Sequence, residues 1–203
     1  MDAETPIREL RFAAIDFESA GAARGRTDVP VQVGLASWSP GGDVGEPFVS
    51  YLQSAHPVTW SARKVHGIGD GDLVGAPRLE ELWPTLRRQL GGAVVVAHGK
   101  GTEKRFLRAF PGHGFGPWVD TLLIARAAWP DADSHGLSDL CDHAGVAEDI
   151  AARLPDRRWH DALFDATASL VLLRHLVVSL DLLDQPLAIL LRPDLSAWSR
   201  ARR

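Results

Sequence analysis

The stretch LRFAAIDFES, residues 10–19, decides the fold. Its mostly apolar first half predicts a buried strand, and the strand ends in two acids, Asp16 and Glu18. Residues two apart on a strand point to the same side, so both carboxylates should lie together. Two such acids repel each other and lose solvation, and a hard divalent cation such as Mg²⁺ or Mn²⁺ relieves both effects. Taken alone, the pair also fits an ordinary solvated strand end.

The rest of the pattern predicts strands first, and then strands alternating with helices. We expect strands at residues 31–38 and 48–52, joined by a Ser39-Pro40-Gly41-Gly42 turn, and a buried strand at 93–97. The predicted helices cover residues 79–90, 102–110, 137–144 and 162–183, and a strand-to-helix passage starts at Val119. This order favours an α/β fold whose sheet is of mixed direction. Ligands of such sheets collect near strand ends.

Composition narrows the class of protein. The 203 residues carry a net charge of −4 and are 45% hydrophobic, which predicts one domain, with a core at about residues 10–180 and an extension at 181–203. The negative charge argues against non-specific coating of nucleic acid. Cys141 is the only cysteine, which excludes an intrachain disulfide and a cysteine-rich zinc site. We see neither a signal-peptide pattern nor an apolar run of about 18 residues, so a cytoplasmic protein without a membrane span is expected.

A second candidate group lies at residues 94–103, which read as a buried strand, a glycine loop and a helix start. Glu103 falls in the first helical turn, where the helix dipole favours an anion whether or not the residue is catalytic. Basic side chains surround it and fit either phosphate contacts or a solvated helix face: Lys100, Lys104, Arg105 and Arg108.

A third group precedes the longest predicted helix. Asp165 follows His160 by five residues, which on one helix would turn the two side chains about 140° apart. They can share a site only if His160 lies in the loop before the helix and Asp165 in its first turns. Asp161 reads as the helix-start residue. An acid inside an otherwise apolar helix is costly to bury without a partner, so Asp165 also favours a bound cation.

In this order, the motifs resemble those of the DEDDh 3′→5′ exonucleases, which include polymerase proofreading subunits and oligoribonuclease-like enzymes. The resemblance covers residues 10–178 and rests on IDFES (15–19), AH with EKRFL (97–98 and 103–107), and His160 with Asp165; VHGI (65–68), VDTL (119–122) and AR (125–126) add to it. It implies a ribonuclease-H-like fold, a mixed five-stranded sheet flanked by helices. Three positions depart from the family pattern: Glu103 stands for the usual Asp, Gly99 for a common Asn and Thr102 for a usual Phe.

The resemblance also implies the roles of individual residues. The metal ligands would be Asp16, Glu18, Glu103 and Asp165, and His160 would be the general base. Phe17, Ser19, His66 and His98 would contact substrate, although Phe17 equally fits the core. The implied reaction is two-metal hydrolysis with Mg²⁺ or Mn²⁺, in which Asp16 bridges the ions and 5′-mononucleotides leave the 3′ ends of single-stranded DNA or RNA. A DNA polymerase is a candidate partner; a stand-alone enzyme is the alternative, and the sequence predicts no oligomeric state.

Other interpretations stay open. A catalytically inactive ribonuclease-H-like module that binds nucleic acid would lack at least one ligand, and none is missing. A zinc site of His135, Cys141 and His143 matches no common spacing. Residues 185–190 faintly resemble a sliding-clamp-binding peptide but fit a helix start better. The basic tail, residues 199–203, is a candidate phosphate contact.

Overall fold

The computed structural model describes residues 1–25 and 27–194 and is built on a five-stranded sheet in the order β3-β2-β1-β4-β5. The strands are β1 (Phe12–Ser19), β2 (Pro30–Trp38), β3 (Gly45–Tyr51), β4 (Val94–Ala97) and β5 (Trp118–Asp120). Strands β1, β2 and β3 pair antiparallel, whereas β4 runs parallel to β1 and to β5. The predicted mixed sheet is therefore confirmed. The basic tail, residues 199–203, lies outside the described residues.

Helices cover both faces of this sheet. In the described part of the chain they are α1 (Trp60–His66), α2 (Trp83–Leu90), α3 (Gly101–Phe106), α4 (Thr121–Ala128), α5 (Leu137–His143), α6 (Ala147–Arg153), α7 (Ala162–Ser179) and α8 (Ala188–Leu191). One face carries α7, and its core includes Phe12 and Ala14 of β1. The other face packs Ile15 and Phe17 against residues that include Leu86 and Phe106.

Helix α7 is the core helix of the fold. It is 18 residues long with a mean hydropathy of 1.5, so by length and composition it could cross a membrane. However, 72% of it is buried, and it packs against β1 and β2. Its apolar surface is thus used within the fold, as in the central helix of a globular domain.

Three helices have other ends in the structure than the sequence predicted, each for a local reason. Residues 79–90 form a 3-10 turn, Leu79–Leu82, before α2, because Pro84 lacks the N–H that a continuous helix needs. Helix α3 is followed by a 3-10 turn, Leu107–Ala109, instead of running to residue 110. Helix α7 stops at Ser179, and Asp181 then takes a left-handed φ of 54°. Residues 185–190 lead into α8, with Leu187 and Leu190 buried, so the helix interpretation is confirmed there.

Strand β2 brings the start of α7 close to the end of β1. Gly34 of β2 pairs with Asp16, and a Cβ on Gly34 would lie 2.1 Å from the carbonyl carbon of Ala162. A real Cβ cannot approach backbone so closely, so only glycine lets the helix start rest on the strand here. The first turn of α7 consequently lies beside the acids of β1.

Candidate active site

Acidic side chains from three elements meet at the end of β1. Asp16 and Glu18 come from β1, Asp165 from the first turn of α7 and Glu103 from the first turn of α3. Glu18, His160 and Asp165 offer ligand atoms that all lie within 4.8 Å of one another, and no other group of three potential ligands is that close among the described residues. The structure thus brings together the acids that the sequence placed far apart along the chain.

Burial is the largest cause that raises the pKa of each of these acids, and nearby carboxylates add to it. Burial, followed by the charges of Asp165 and Glu18, raises the pKa of Asp16 well above its usual range. Burial, then Asp165 and Asp161, raises the pKa of Glu18 to about 8. The pKa of Asp165 rises to about 7, mainly through burial, although the His160 backbone N–H opposes the shift. Without a cation, the site therefore holds protons that neutral pH would normally remove.

Glu103 is the most buried of the four acids, with 4% of its surface exposed. Its Oε2 has no hydrogen-bond partner among the described residues, and burial with the charge of Asp120 raises its pKa to about 7. An orphaned buried carboxylate oxygen is costly unless a cation or a proton satisfies it. The longer side chain therefore does not carry the carboxylate away from the site: its charge acts on Asp16.

His160 lies in the loop before α7, as its spacing from Asp165 predicted. Its side chain is exposed, its backbone N–H donates to Asp165 Oδ1 at 3.4 Å, and its φ of 65° is left-handed. A non-glycine residue in this region is strained, and such strain is often found at functional sites. Asp161 caps α7 through Oδ1, which accepts from the N–H groups of Leu163 and Phe164, so its predicted role is confirmed.

His66 fixes the end of β1 beside the acids. Its Nδ1 accepts from the Ile68 N–H at 3.0 Å, so Nε2 carries the proton and donates to the Ser19 carbonyl, also at 3.0 Å. Burial lowers the pKa of His66, which favours this neutral form. His66 also lines a cavity of about 530 Å³ that reaches His160. The structure thus places His66 at the cavity wall, and its contact with substrate stays a prediction.

Two other predicted substrate contacts are turned into the protein. Phe17 is buried and meets the Phe106 ring edge-on at 5.4 Å between centroids. His98 uses both ring nitrogens, Nδ1 with Thr121 Oγ1 and Nε2 with the His135 carbonyl, each at 3.0 Å. These contacts favour packing and positioning roles over direct contact with substrate.

Two residues near the site were not among the predicted site residues. Asp120 Oδ1 accepts from the N–H groups of Gly99 and Leu122, so it ties the glycine loop before α3 to the start of α4. Gln32 is a buried polar side chain in the largely apolar strand β2 and bonds to Asp161 and Ala162. A lone glutamine in an apolar strand was the signal available in the sequence.

The zinc interpretation finds no support in the geometry. His135, Cys141 and His143 do not form a cluster of close ligand atoms in the described residues. Cys141 is buried in α5, and burial raises the pKa of its thiol to about 12. His143 instead packs edge-on against Trp129.

The raised acid pKa values predict how the stability of the metal-free protein depends on pH. The folded state holds protons on Glu18 and Asp165 that the unfolded chain loses near pH 4, so the free energy of unfolding falls as pH rises from about 4 to about 8. We expect Tm in EDTA to fall by several degrees over that range. Mn²⁺ should raise Tm, and by more at about pH 8 than at about pH 5, because protons compete with the ion.

Thermal unfolding at several pH values, with EDTA or with Mn²⁺, measures this. Asp16→Asn should flatten the pH dependence, whereas the exposed Asp131→Asn should leave it unchanged. A Tm that changes with neither pH nor Mn²⁺ would contradict the electrostatic description of the site.

Comparison with known proteins gives one consistent family. The sequence model of the exonuclease family (RNase_T) matches residues 13–173. A DNA polymerase III subunit epsilon-like protein of Rhodobacter capsulatus is 30% identical over 82% of this chain, and a PolC-type DNA polymerase III of Streptococcus thermophilus is 28% identical over 80%. This chain spans only 24% and 11% of those two relatives, respectively.

Solved structures share the fold. Exonuclease X in complex with 5′ overhanging duplex DNA superposes with a TM-score of 0.70 at 20% identity, covering 89% of this chain and 99% of that one. The nuclease domain of 3′hExo, a DEDDh family member bound to rAMP, gives 0.64 at 13% identity, covering 86% and 94%. The predicted ribonuclease-H-like fold and the resemblance to DEDDh exonucleases are confirmed.

Proposed function

Because the chain belongs to the exonuclease family, we propose that it is a metal-dependent 3′→5′ exonuclease that releases 5′-mononucleotides from single-stranded nucleic acid. The observation that carries the proposal is the convergence of four buried or half-buried acids on the end of β1, beside an exposed histidine. Such a set of oxygen ligands suits Mg²⁺ or Mn²⁺. The curated relatives are polymerase III proteins, so a polymerase-associated role is part of the proposal.

The donor set fits two divalent cations. Asp16, Glu18 and Asp165 would hold one ion, and Asp16 with Glu103 would hold the other. Two features support this fit, the orphaned buried Oε2 of Glu103 and the burial that, with nearby carboxylates, raises the pKa of each acid. When bound, the cations supply Lewis-acid stabilisation of the charge that develops on the phosphate and on the leaving 3′ oxygen.

His160 would take the proton from the attacking water. Its side chain is exposed at the mouth of the site and lies within 4.8 Å of ligand atoms of Glu18 and Asp165. A histidine in reach of the reacting water is suited to general-base work near neutral pH. Its place in a loop lets it adjust when substrate binds.

The cavity beside His160 is the proposed binding site of the terminal nucleotide. Its volume of about 530 Å³ lies in the range usual for small-ligand pockets. His66 and His160 line it together with Arg158, which brings positive charge toward an anionic substrate, and with Arg157, whose guanidinium pairs with Asp161. Ser19 is not among the lining residues; its backbone carbonyl accepts the hydrogen bond from His66, which is. Phe17 and His98 would act behind this surface by holding β1 and α4 in place.

The inactive-module alternative has less support. It predicts a missing ligand, whereas every acid of the set is present in the sequence and the charges of the other three act on Asp16. Titration calorimetry with Mn²⁺ distinguishes the two, since a module without a metal site would release no binding heat. We further propose that residues 1–203 form one exonuclease domain with its core at about residues 10–180. Cytoplasmic residence stays a prediction of the sequence.

End-labelled oligonucleotides test the proposed activity. With Mn²⁺, a single strand labelled at its 3′ end should release labelled 5′-mononucleotide at once, while a 5′-labelled strand should shorten one residue at a time. EDTA should stop both. Matched DNA and RNA strands would identify the preferred substrate. Internal cleavage, or shortening from the 5′ end, would contradict the proposal.

Glu103→Gln should raise the stability of the metal-free protein and lower the activity with Mn²⁺. The substitution removes a buried carboxylate whose Oε2 has no hydrogen bond among the described residues, so we expect Tm in EDTA to rise by a few degrees. It also removes a proposed ligand, so kcat with Mn²⁺ should fall by about 10²-fold. Glu103→Asp, which restores the residue usual in the family, should keep most of the activity. A Glu103→Gln protein as active as the wild type would remove Glu103 from the site.

A further inference from the structure

We infer that Gln32 is a positioning residue for the reaction, acting from β2 to hold the start of α7, and with it His160 and Asp165, against the acids of β1. This inference rests on the proposed function. We call the contacts among Gln32, Arg157, Asp161 and Ala162 the Gln32 bridge. Among the described residues, Gln32 forms no hydrogen bond to a proposed reacting group; it acts through Asp161 and the helix start.

The bridge completes the hydrogen bonding at the start of α7. A helix leaves its first four N–H groups without partners inside the helix. Here Leu163 and Phe164 donate to Asp161 Oδ1, and Asp165 donates to the Asp161 carbonyl. Only the Ala162 N–H lies beyond reach of the local cap, and it donates to Gln32 Oε1 at 2.9 Å. Gln32 is therefore part of the cap, supplied from a strand 130 residues away.

The other end of the same amide holds the capping acid. Gln32 Nε2 donates to Asp161 Oδ2 at 3.1 Å, and Arg157 donates to that same oxygen at 2.6 Å. A reversed amide would set its NH₂ against the Ala162 N–H and its oxygen against a carboxylate, so one orientation satisfies both contacts. A carboxylate or a hydrocarbon at position 32 could not replace both.

The position of Gln32 in the sheet links the Gln32 bridge to the acids of β1. Gln32 pairs with Glu18 in the register of β1 and β2, and only 3% of it is exposed. Two residues further along β2, Gly34 pairs with Asp16 and admits the Ala162 backbone. The strand that carries the bridge is thus aligned with both metal-binding acids of β1. Any shift of α7 along β2 would move Asp165 relative to Glu18 and Asp16.

The bridge also accounts for the strained residue. His160, with its left-handed φ of 65°, directly precedes Asp161, whose N–H donates to the Arg158 carbonyl. Strained backbone persists only where its surroundings determine it fully. Asp161, fixed by Gln32, Arg157 and the helix amides, supplies that constraint on one side of His160.

Gln32→Leu tests the inference because leucine keeps the bulk and removes both hydrogen bonds. Amide hydrogen exchange at residues 161–165 should speed up, and Mn²⁺ affinity should fall by about ten-fold. In the exonuclease assay, kcat should fall by about 10-fold to 100-fold, as for a small misplacement of catalytic groups, with a smaller change in KM. In the double variant Gln32→Leu/His160→Gly, the loss in kcat should be far smaller than the product of the two single losses, because Gln32 acts through His160.

Two control variants distinguish a loss of positioning at the start of α7 from a general loss of protein stability. Leu170→Ala opens a cavity in α7 beyond its first turns, so it should lower Tm while kcat and exchange at residues 161–165 stay the same in the folded protein. Gln53→Leu changes an exposed glutamine outside the bridge and should change nothing.

Two outcomes would overturn the inference: unchanged exchange at residues 161–165 in Gln32→Leu, or an unchanged kcat in an active protein. If the wild type shows no hydrolysis, the proposed function fails. The exchange and Mn²⁺ measurements then still decide whether Gln32 positions α7, since neither needs turnover.

Discussion

Replacing Asp16 by Asn should lower kcat with Mn²⁺ by about 10³-fold or more, one of the two largest effects we expect from a single substitution. Asp16 is the acid on which the charges of Glu18, Glu103 and Asp165 all act, so it lies at the centre of the proposed metal site. Losing a shared ligand removes several kcal/mol of stabilisation from the transition state. The measurement is the initial rate of mononucleotide release at saturating oligonucleotide.

The same variant should fold at least as well as the wild type. In the metal-free protein Asp16 is a buried acid held among other acids, so the neutral amide relieves repulsion. Tm in EDTA should therefore be equal or higher, while Mn²⁺ should no longer raise it. The exposed Asp131→Asn should leave both rate and Tm unchanged. A slow but destabilised Asp16→Asn would point to misfolding instead of a lost ligand.

His160→Gly should lower kcat by about 10²-fold to 10⁴-fold, the range expected for loss of a general base. Glycine is the informative substitution because position 160 has a left-handed φ of 65°, which glycine adopts without strain. The backbone should keep its path, and the missing ring leaves room for a small base. Added imidazole should then restore part of the rate, as seen in the time course of mononucleotide release.

Metal binding distinguishes a base from a ligand at this position. His160 lies close enough to Glu18 and Asp165 to share an ion with them. If it is the base, His160→Gly should bind Mn²⁺ as the wild type does and respond to imidazole. Weak Mn²⁺ binding without imidazole rescue would instead make His160 a ligand. The exposed His143→Gln on α5 serves as the matched histidine control.

Much of the fold could be predicted because its signals are local. The apolar run before Asp16, the Ser39-to-Gly42 turn and the valines of β4 each specify an element from neighbouring residues. Helix α1 was not predicted, although both of its end signals are present. Thr59 caps it, and Gly67 ends it with a φ of 81°. Its seven residues are too few for a helical pattern to stand out.

The site was predictable where acids stand out and unpredictable where contacts are long-range. Asp165 was identified as an acid in an apolar helix, and its spacing from His160 predicted that the helix begins after His160. The role of Gln32 depends on partners about 130 residues away, which no local pattern reveals. His98 was assigned to substrate because of its motif, and only the structure shows both ring nitrogens used inside the protein.

Crystals grown with Mn²⁺ and a 5′-mononucleotide would test the central claim most directly, by anomalous diffraction from manganese. The account predicts manganese bound by Asp16, with Glu18 and Asp165 as further ligands and Glu103 facing a second ion. The nucleotide should occupy the cavity between His66 and His160. Manganese absent from Asp16 at saturating concentration, or bound without any of the other three acids, would contradict it.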